Sequence, residues 1–226
     1  PEHYGLGLTL GDGSTSLMQL VGAYRTLARG GLYTPLRFLS DESRPEDARV
    51  LDARCAYLIT DVLSDKNARI PSFGTPNALE FPFPVAVKTG TSKGYRDNWT
   101  VGYTPKYVVG VWVGNSDGQP MRDVSGITGA GPLFRDVVLS LGDEGPFPSP
   151  PLLEDLKICA LSGLTTGADC PNQVTEMKLK ESRIEACDVC RKEEGGSRIV
   201  FDLPPLYHQW ATERGLPLSS SVENQG

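Results

Sequence analysis

Ten residues, Gly142-Asp143-Glu144-Gly145-Pro146-Phe147-Pro148-Ser149-Pro150-Pro151, constrain this chain more than any other stretch. Four prolines and two glycines in ten positions cannot continue a helix or join a central strand, because proline has no amide proton to give. The stretch reads as a stiff linker spanning 142–151. It separates residues 1–141, which carry helix and strand signals, from residues 152–226, a polar segment holding four of the five cysteines.

The first part opens with Ser16-Leu17-Met18-Gln19, a capping box in which both side chains satisfy free amides of a first helical turn. Leu17, Leu20, Val21, Tyr24, Leu27 and Ala28 follow at helical spacing, and Gly30-Gly31 is a stop. A second helix is expected from Asp52 to Ser64, with Cys55, Leu58, Ile59 and Val62 on its apolar face. Cys55 there reads as a small buried hydrophobe. A third helix is expected from Leu133 to Leu141, after Pro132. Between the second and third helices lie strand patterns at 84–89, at 98–104 with Trp99, Val101 and Tyr103 on one side, and at 107–114. The last has Val109, Val111 and Val113 on one face and Val108 and Trp112 on the other, which predicts a central strand covered by helices on both sides. The fold class is α/β (α+β), an antiparallel sheet flanked by helices, with a small Cys-rich C-terminal segment.

Composition excludes several classes. The chain has 22 Lys and Arg against 28 Asp and Glu, a formal net charge of −6 and no basic run, so no nucleic acid is expected as a partner. The longest strongly apolar run, Val108 to Gly114, is the length of a strand and not of a membrane span. The first residue is Pro1, and the chain is expected to be a piece of a longer protein.

Lys88-Thr89-Gly90-Thr91-Ser92 is the candidate chemical site. It stands where an apolar strand ends, so its polar groups emerge at a sheet edge. The Lys88 ammonium can attract an anion and lower a neighbour's pKa. The hydroxyls of Thr89 and Thr91 can bind a carboxylate, Gly90 allows close approach to the backbone, and the Thr91 amide can stabilise an oxyanion. A solvated strand end followed by a turn is the bland alternative, and the tetrapeptide alone does not exclude it.

Cys159, Cys170, Cys187 and Cys190 follow the order C-x10-C, sixteen residues, C-x2-C. A zinc site would use Cys187-Asp188-Val189-Cys190 as one knuckle, but C-x10-C makes a poor second one. Two disulfides would staple a segment lacking its own core. A redox C-x-x-C is a weaker third reading, since no βαβ pattern surrounds it. His3 and His208 have no metal spacing to the cysteines and read as surface residues. The alternating charges of Lys178 to Glu185 read as a solvated face. Ile199-Val200-Phe201 reads as a short strand, and Ser219-Ser220-Ser221 as a disordered tail.

Several of these stretches, taken in order, resemble the class A (bifunctional) penicillin-binding proteins. Ser14 to Gly31 is similar to the helix before their last active-site strand. Lys88-Thr89-Gly90-Thr91-Ser92 is followed by Asp97-Asn98-Trp99, Val101-Gly102-Tyr103-Thr104-Pro105 and Val111-Trp112-Val113-Gly114-Asn115, and later by Gly131-Pro132 opening a helix. Cys159-Ala160-Leu161-Ser162-Gly163 and Cys170-Pro171 resemble the tail of the 1C branch. The likeness runs over about residues 5 to 210.

The resemblance implies a partial penicillin-recognising serine transpeptidase fold. Residues 1–141 would be the C-terminal half of that domain, and 152–226 a Cys-rich tail leading to a truncated module. It implies D,D-transpeptidation of peptidoglycan stem peptides ending in D-Ala-D-Ala, with β-lactam antibiotics as competing ligands, through an acyl-serine intermediate. Lys88 and Thr91 would be catalytic, and Thr89, Gly90 and Thr91 would bind substrate. Asp97 and Trp99 would support the hairpin. The sequence contains no S-x-x-K and no S-x-N, so the nucleophile and its relay are expected upstream and this piece alone should not acylate. The implied location is the periplasmic face of the bacterial inner membrane, with a membrane-anchored parent and cell-wall proteins as possible partners. That compartment favours disulfides among Cys159, Cys170, Cys187 and Cys190, so neither a metal nor a cofactor is expected. The alternatives are a non-catalytic penicillin-binding-like sensor or wall-binding scaffold, and a D,D-carboxypeptidase or β-lactamase relative.

Overall fold

The computed structural model describes residues 5–11, 13–43, 45–143, 145–193 and 195–219. His3, Glu144, Ser220 and Ser221 lie outside the described residues. The chain divides into two compact units, Pro1–Pro151 and Leu152–Gly226.

In the first unit a 3-10 turn, Gly5–Leu10, precedes helix α1 (Leu17–Ala28), the short strand pair β1 (Leu32–Tyr33) and β2 (Ala48–Arg49), and helices α2 (Ala53–Ser64) and α3 (Lys66–Phe73). Strands β3 (Ala86–Thr91), β4 (Asp97–Tyr103) and β5 (Val108–Gly114) form an antiparallel sheet, and helix α4 (Ala130–Leu141) ends the series.

Local chemistry explains where these elements start. The Ser16 hydroxyl accepts from the Gln19 amide at 3.2 Å, and the Gln19 side chain accepts from the Ser16 amide at 2.9 Å, completing the expected capping box. Asp52 caps α2 by accepting from the Arg54 amide. The Arg54 side chain, bonded to the same carboxylate, holds the Asp52 pKa down at about 2. Helix α4 starts at Ala130, three residues ahead of the expected Leu133, because proline fits a first turn, where its missing amide has no partner to lose.

Both faces of the sheet are covered, as the apolar pattern of β5 predicts. On one face Val85, Val87 and Val111 pack with Leu79, Ala130, Phe134 and Val138, all buried. Helix α1 lies on the other, where a Cβ at Gly110 would come 2.5 Å from Val21 Cγ2 and 2.9 Å from Leu17 Cδ1. Only glycine lets the helix sit that close. The sheet order is β3-β4-β5, so β4 and not β5 is the middle strand among the described residues. Two-sided apolarity in β5 reports helices above and below it and carries no information about its place in the sheet.

The apolar face expected for α2 is also corrected. Its buried residues are Ala56 and Thr60, while Cys55 is exposed and Ile59 and Val62 are 47% and 68% exposed. The Thr60 hydroxyl turns inward and meets the Tyr103 hydroxyl at 2.8 Å, a polar pair that replaces the expected apolar seam. The proline-rich segment is anchored to this unit at two points. Phe147 stacks edge-on against Tyr103 at 5.7 Å, and the fully buried Asp143 accepts from the Lys106 amide at 2.9 Å.

In the second unit β6 (Leu153–Cys159) pairs antiparallel with β7 (Gln173–Leu179), and β8 (Cys190–Lys192) with β9 (Ile199–Phe201), before a short helix α5 (His208–Glu213). Lys178 reaches across the first hairpin to Glu154 at 2.7 Å, so part of the alternating charge run is tied down. His208 is half-buried, with its Nε2 2.8 Å from the Leu203 carbonyl. Ser219 is buried and donates to Asp202 at 2.8 Å, so the described end of the tail is ordered against β9. No helix among the described residues is long and apolar enough to cross a membrane.

Candidate active site

Strand β3 is the edge of its sheet among the described residues, and it carries Lys88, Thr89, Gly90 and Thr91 along one line. Strand geometry sends successive side chains to opposite faces. Lys88 pairs with Val101, which lies beside Gly110, so Lys88 and Gly90 belong to the α1 side. Thr89 and Thr91 pair with Thr100 and Asn98 on the α4 side. All four residues nevertheless line one cleft of about 790 Å³, together with Leu8, Thr9, Leu10, Leu20 and Tyr24.

Lys88 is exposed, and its Nζ donates to the Thr89 carbonyl at 2.8 Å, so the ammonium lies along its own strand. Thr91 is held differently. Its hydroxyl oxygen accepts from the Gly126 amide at 2.9 Å. That bond occupies acceptor capacity and leaves the hydroxyl proton free to donate, which is what a carboxylate requires. The Gly126 carbonyl in turn accepts from the buried Thr100 hydroxyl at 3.0 Å, so Gly126 is fixed at both its amide and its carbonyl.

Gly126 and Thr100 escaped the reading of the sequence. The only signal was the small-residue run Ser125-Gly126-Ile127-Thr128-Gly129-Ala130-Gly131, whose partner strand is remote in sequence. A Cβ at Gly126 would lie 2.7 Å from the carbonyl oxygens of Gly90 and Trp99, so a side chain there would collide with the site strand. Asn98, opposite Thr91, is fully buried with its Oδ1 lacking a hydrogen-bond partner among the described residues, and its Nδ2 reaches Met121 Sδ at 3.8 Å.

Asp97 and Trp99 serve the hairpin. The Asp97 amide donates to the Ser92 hydroxyl at 2.8 Å, its carboxylate accepts from the Trp112 indole at 3.0 Å, and the Trp99 and Trp112 rings lie 6.4 Å apart.

The four candidate disulfide cysteines of the second unit stand as free thiols, as does Cys55 of the first unit. The Sγ atoms of Cys159, Cys170, Cys187 and Cys190 all lie within 4.8 Å of one another. Burial alone would raise the Cys159 pKa, but the Ser162 and Leu161 amides, the Ser162 hydroxyl and Cys190 outweigh it and bring the thiol to about 6. Burial and the facing Cys159 push Cys190 the other way.

The model of the penicillin binding protein transpeptidase domain matches residues 3–139. Penicillin-binding protein 1C of Escherichia coli (strain K12) is 34% identical over 132 residues, covering 58% of this chain and 16% of that protein. Penicillin-binding protein 1A/1B of Bacillus subtilis (strain 168) is 27% identical over 208 residues, covering 80% of this chain and 22% of that protein. The crystal structure of penicillin-binding protein 1A from Haemophilus influenzae matches with a TM-score of 0.60 at 17% identity, over 80% of this chain and 34% of that one, a likeness of fold. The chain spans between 16% and 22% of the length of these two curated relatives.

Proposed function

The chain belongs to the penicillin binding protein transpeptidase domain family, and on that premise we propose that its first unit supplies the carboxylate-binding half of a serine D,D-transpeptidase site. The observation that carries this reading is the Thr91 hydroxyl, oriented by the Gly126 amide, on a residue that lines the same cleft as Lys88. A stem peptide ending in D-Ala-D-Ala would present its carboxylate to the Thr89 and Thr91 hydroxyls. Its penultimate carbonyl would lie near the Thr91 amide, which can donate to the developing oxyanion. The nucleophilic serine, absent here as an S-x-x-K, would come from residues outside this chain and expel the terminal D-Ala; an amine of a neighbouring strand would then take the acyl group. Lys88 supplies positive charge for the hydroxyl that relays the proton. A β-lactam carries a carboxylate at a comparable place and would occupy the same hydroxyls.

The half-domain reading also accounts for α2, whose Cys55, Ile59 and Val62 are exposed among the described residues. In the full-length protein we place the site on the periplasmic face of the inner membrane, with residues 142–151 linking the catalytic domain to a Cys-rich tail. The test is covalent labelling with a fluorescent penicillin. The full-length parent should label and the 226-residue chain should not. Lys88→Ala in the parent should slow acylation by about 10²–10³-fold, the usual loss for one electrostatic group. A folded parent that does not label, or a Lys88→Ala parent acylating at the wild-type rate, would overturn the assignment and favour a non-catalytic wall-binding scaffold.

A further inference from the structure

The second unit has little with which to hold itself together. Among its described residues the buried apolar side chains are Cys159, Cys170, Cys190, Val200, Phe201 and Ala211, half of them cysteines. A unit of this size with so small a core ordinarily needs a covalent or metal staple. Three features distinguish the two kinds of staple.

The first is the distances. A disulfide brings two sulfurs to about 2.05 Å and sorts four cysteines into two pairs. Here every Sγ lies within 4.8 Å of the other three, and Cys159 and Cys190 are 3.6 Å apart. Four thiolates at about 2.3 Å from a tetrahedral zinc ion are about 3.8 Å from one another.

The second is the turns. The amides of Val189 and Cys190, two and three residues on, approach the Cys187 sulfur. Those of Leu161 and Ser162 approach the Cys159 sulfur at the same offsets. Cys159-Ala160-Leu161-Ser162-Gly163 is therefore a second knuckle of the kind formed by Cys187-Asp188-Val189-Cys190, with serine where the paired cysteine would stand. Cys170 supplies the missing sulfur from the neighbouring loop, which resolves the odd C-x10-C spacing.

The third is the donors. The Gly167 amide donates to Cys170 Sγ at 3.2 Å and the Ser162 hydroxyl to Cys187 Sγ at 3.2 Å. Hydrogen bonds aimed at sulfur stabilise the negative charge of metal-bound thiolates.

We propose that Cys159, Cys170, Cys187 and Cys190 bind one zinc ion as a closed tetrathiolate site that holds the second unit together. All four positions are protein sulfurs, with none left for water or substrate, so the site is structural. On binding, the aqueous zinc ion sheds its waters and the thiols release their protons to solvent; no electron is transferred and no oxidant is needed. The proposal does not rest on the transpeptidase reading, which concerns the other unit.

The test uses the full chain. Prepared in zinc-containing medium and dialysed, it should retain about one zinc ion per chain. A thiol reagent should find only Cys55 until the metal is stripped. Cobalt(II) in place of zinc should give the intense visible bands and sulfur-to-cobalt charge transfer of tetrahedral thiolate coordination, a readout that requires no variant. Cys187→Ser should lose tight zinc retention, while Cys55→Ser should keep it. An intact mass lighter by the four thiol hydrogens with no bound metal would establish two disulfides and overturn the proposal. Octahedral cobalt spectra, or zinc retained equally by Cys187→Ser, would overturn it as well.

Discussion

Replacing Gly126 by alanine strikes the site strand without altering any residue of the Lys-Thr-Gly-Thr run. The added Cβ would lie 2.7 Å from the carbonyl oxygens of Gly90 and Trp99 and 3.1 Å from Thr89 Cβ. Two of these three obstacles are backbone, so relief requires moving β3, β4 or the loop that holds Thr91. Overpacking costs about 1–3 kcal/mol, and rigid obstacles put this case in the upper part, about 2–3 kcal/mol. At about 2–4 °C per kcal/mol for a unit of this size, the melting temperature should fall by roughly 4–12 °C. Gly22→Ala is the matched control. Gly22 sits inside α1 with nothing within 4 Å of its Cβ position. Alanine in a helix interior gains about 0.5–1 kcal/mol over glycine, so this variant should melt roughly 1–4 °C higher. Thermal unfolding of the full chain, followed by tryptophan fluorescence, reads both, since Trp99 and Trp112 lie on the site hairpin. Melting of Gly126→Ala within about 1 °C of wild type, or above it, would refute the close approach of the loop to β3 and with it the orientation of Thr91.

Thr60→Val should destabilise by about 1–3 kcal/mol in urea titration, because it strands the buried Tyr103 hydroxyl; adding Tyr103→Phe should recover part of the loss, and strict additivity would deny the coupling. Ser16→Ala removes half of the capping box and should cost about 1 kcal/mol by the same titration. Burial alone would raise the Asp143 pKa, but the Thr104 hydroxyl, the Gly145 and Lys106 amides and the Lys106 charge outweigh it and hold the carboxyl below its ordinary value. A lowered folded pKa means stability that is present above the unfolded pKa and lost as pH falls through the folded one. Melting temperature against pH should therefore drop more steeply below the ordinary carboxylate range for wild type than for Asp143→Asn; parallel curves would remove Asp143 from the acid transition.

What could be read from the chain alone depends on local interactions. The α1 start was legible because Ser16 and Gln19 satisfy each other three residues apart, with no need of the rest of the fold. The α2 start at Asp52 and the β3–β5 alternation were legible for the same reason: capping and pleating repeat over a few residues. The Lys88-to-Thr91 run announced its chemistry through its residue types, and its place at a strand end through the apolar residues before it.

Tertiary structure decided the rest, because an amphipathic period says that a face is apolar and not what covers it. Helix α2 turned Ala56 and Thr60 inward, Thr60 to meet Tyr103, leaving Cys55, Ile59 and Val62 outside. Gly126 became the support of Thr91 only when a loop distant in sequence folded behind β3. The cysteines show the division most sharply. Their spacing left zinc and disulfides both open, because sulfurs up to 31 residues apart have no local geometry in common. Only when two hairpins and a loop brought the four Sγ atoms within 4.8 Å did the chain acquire the arrangement of a single metal site.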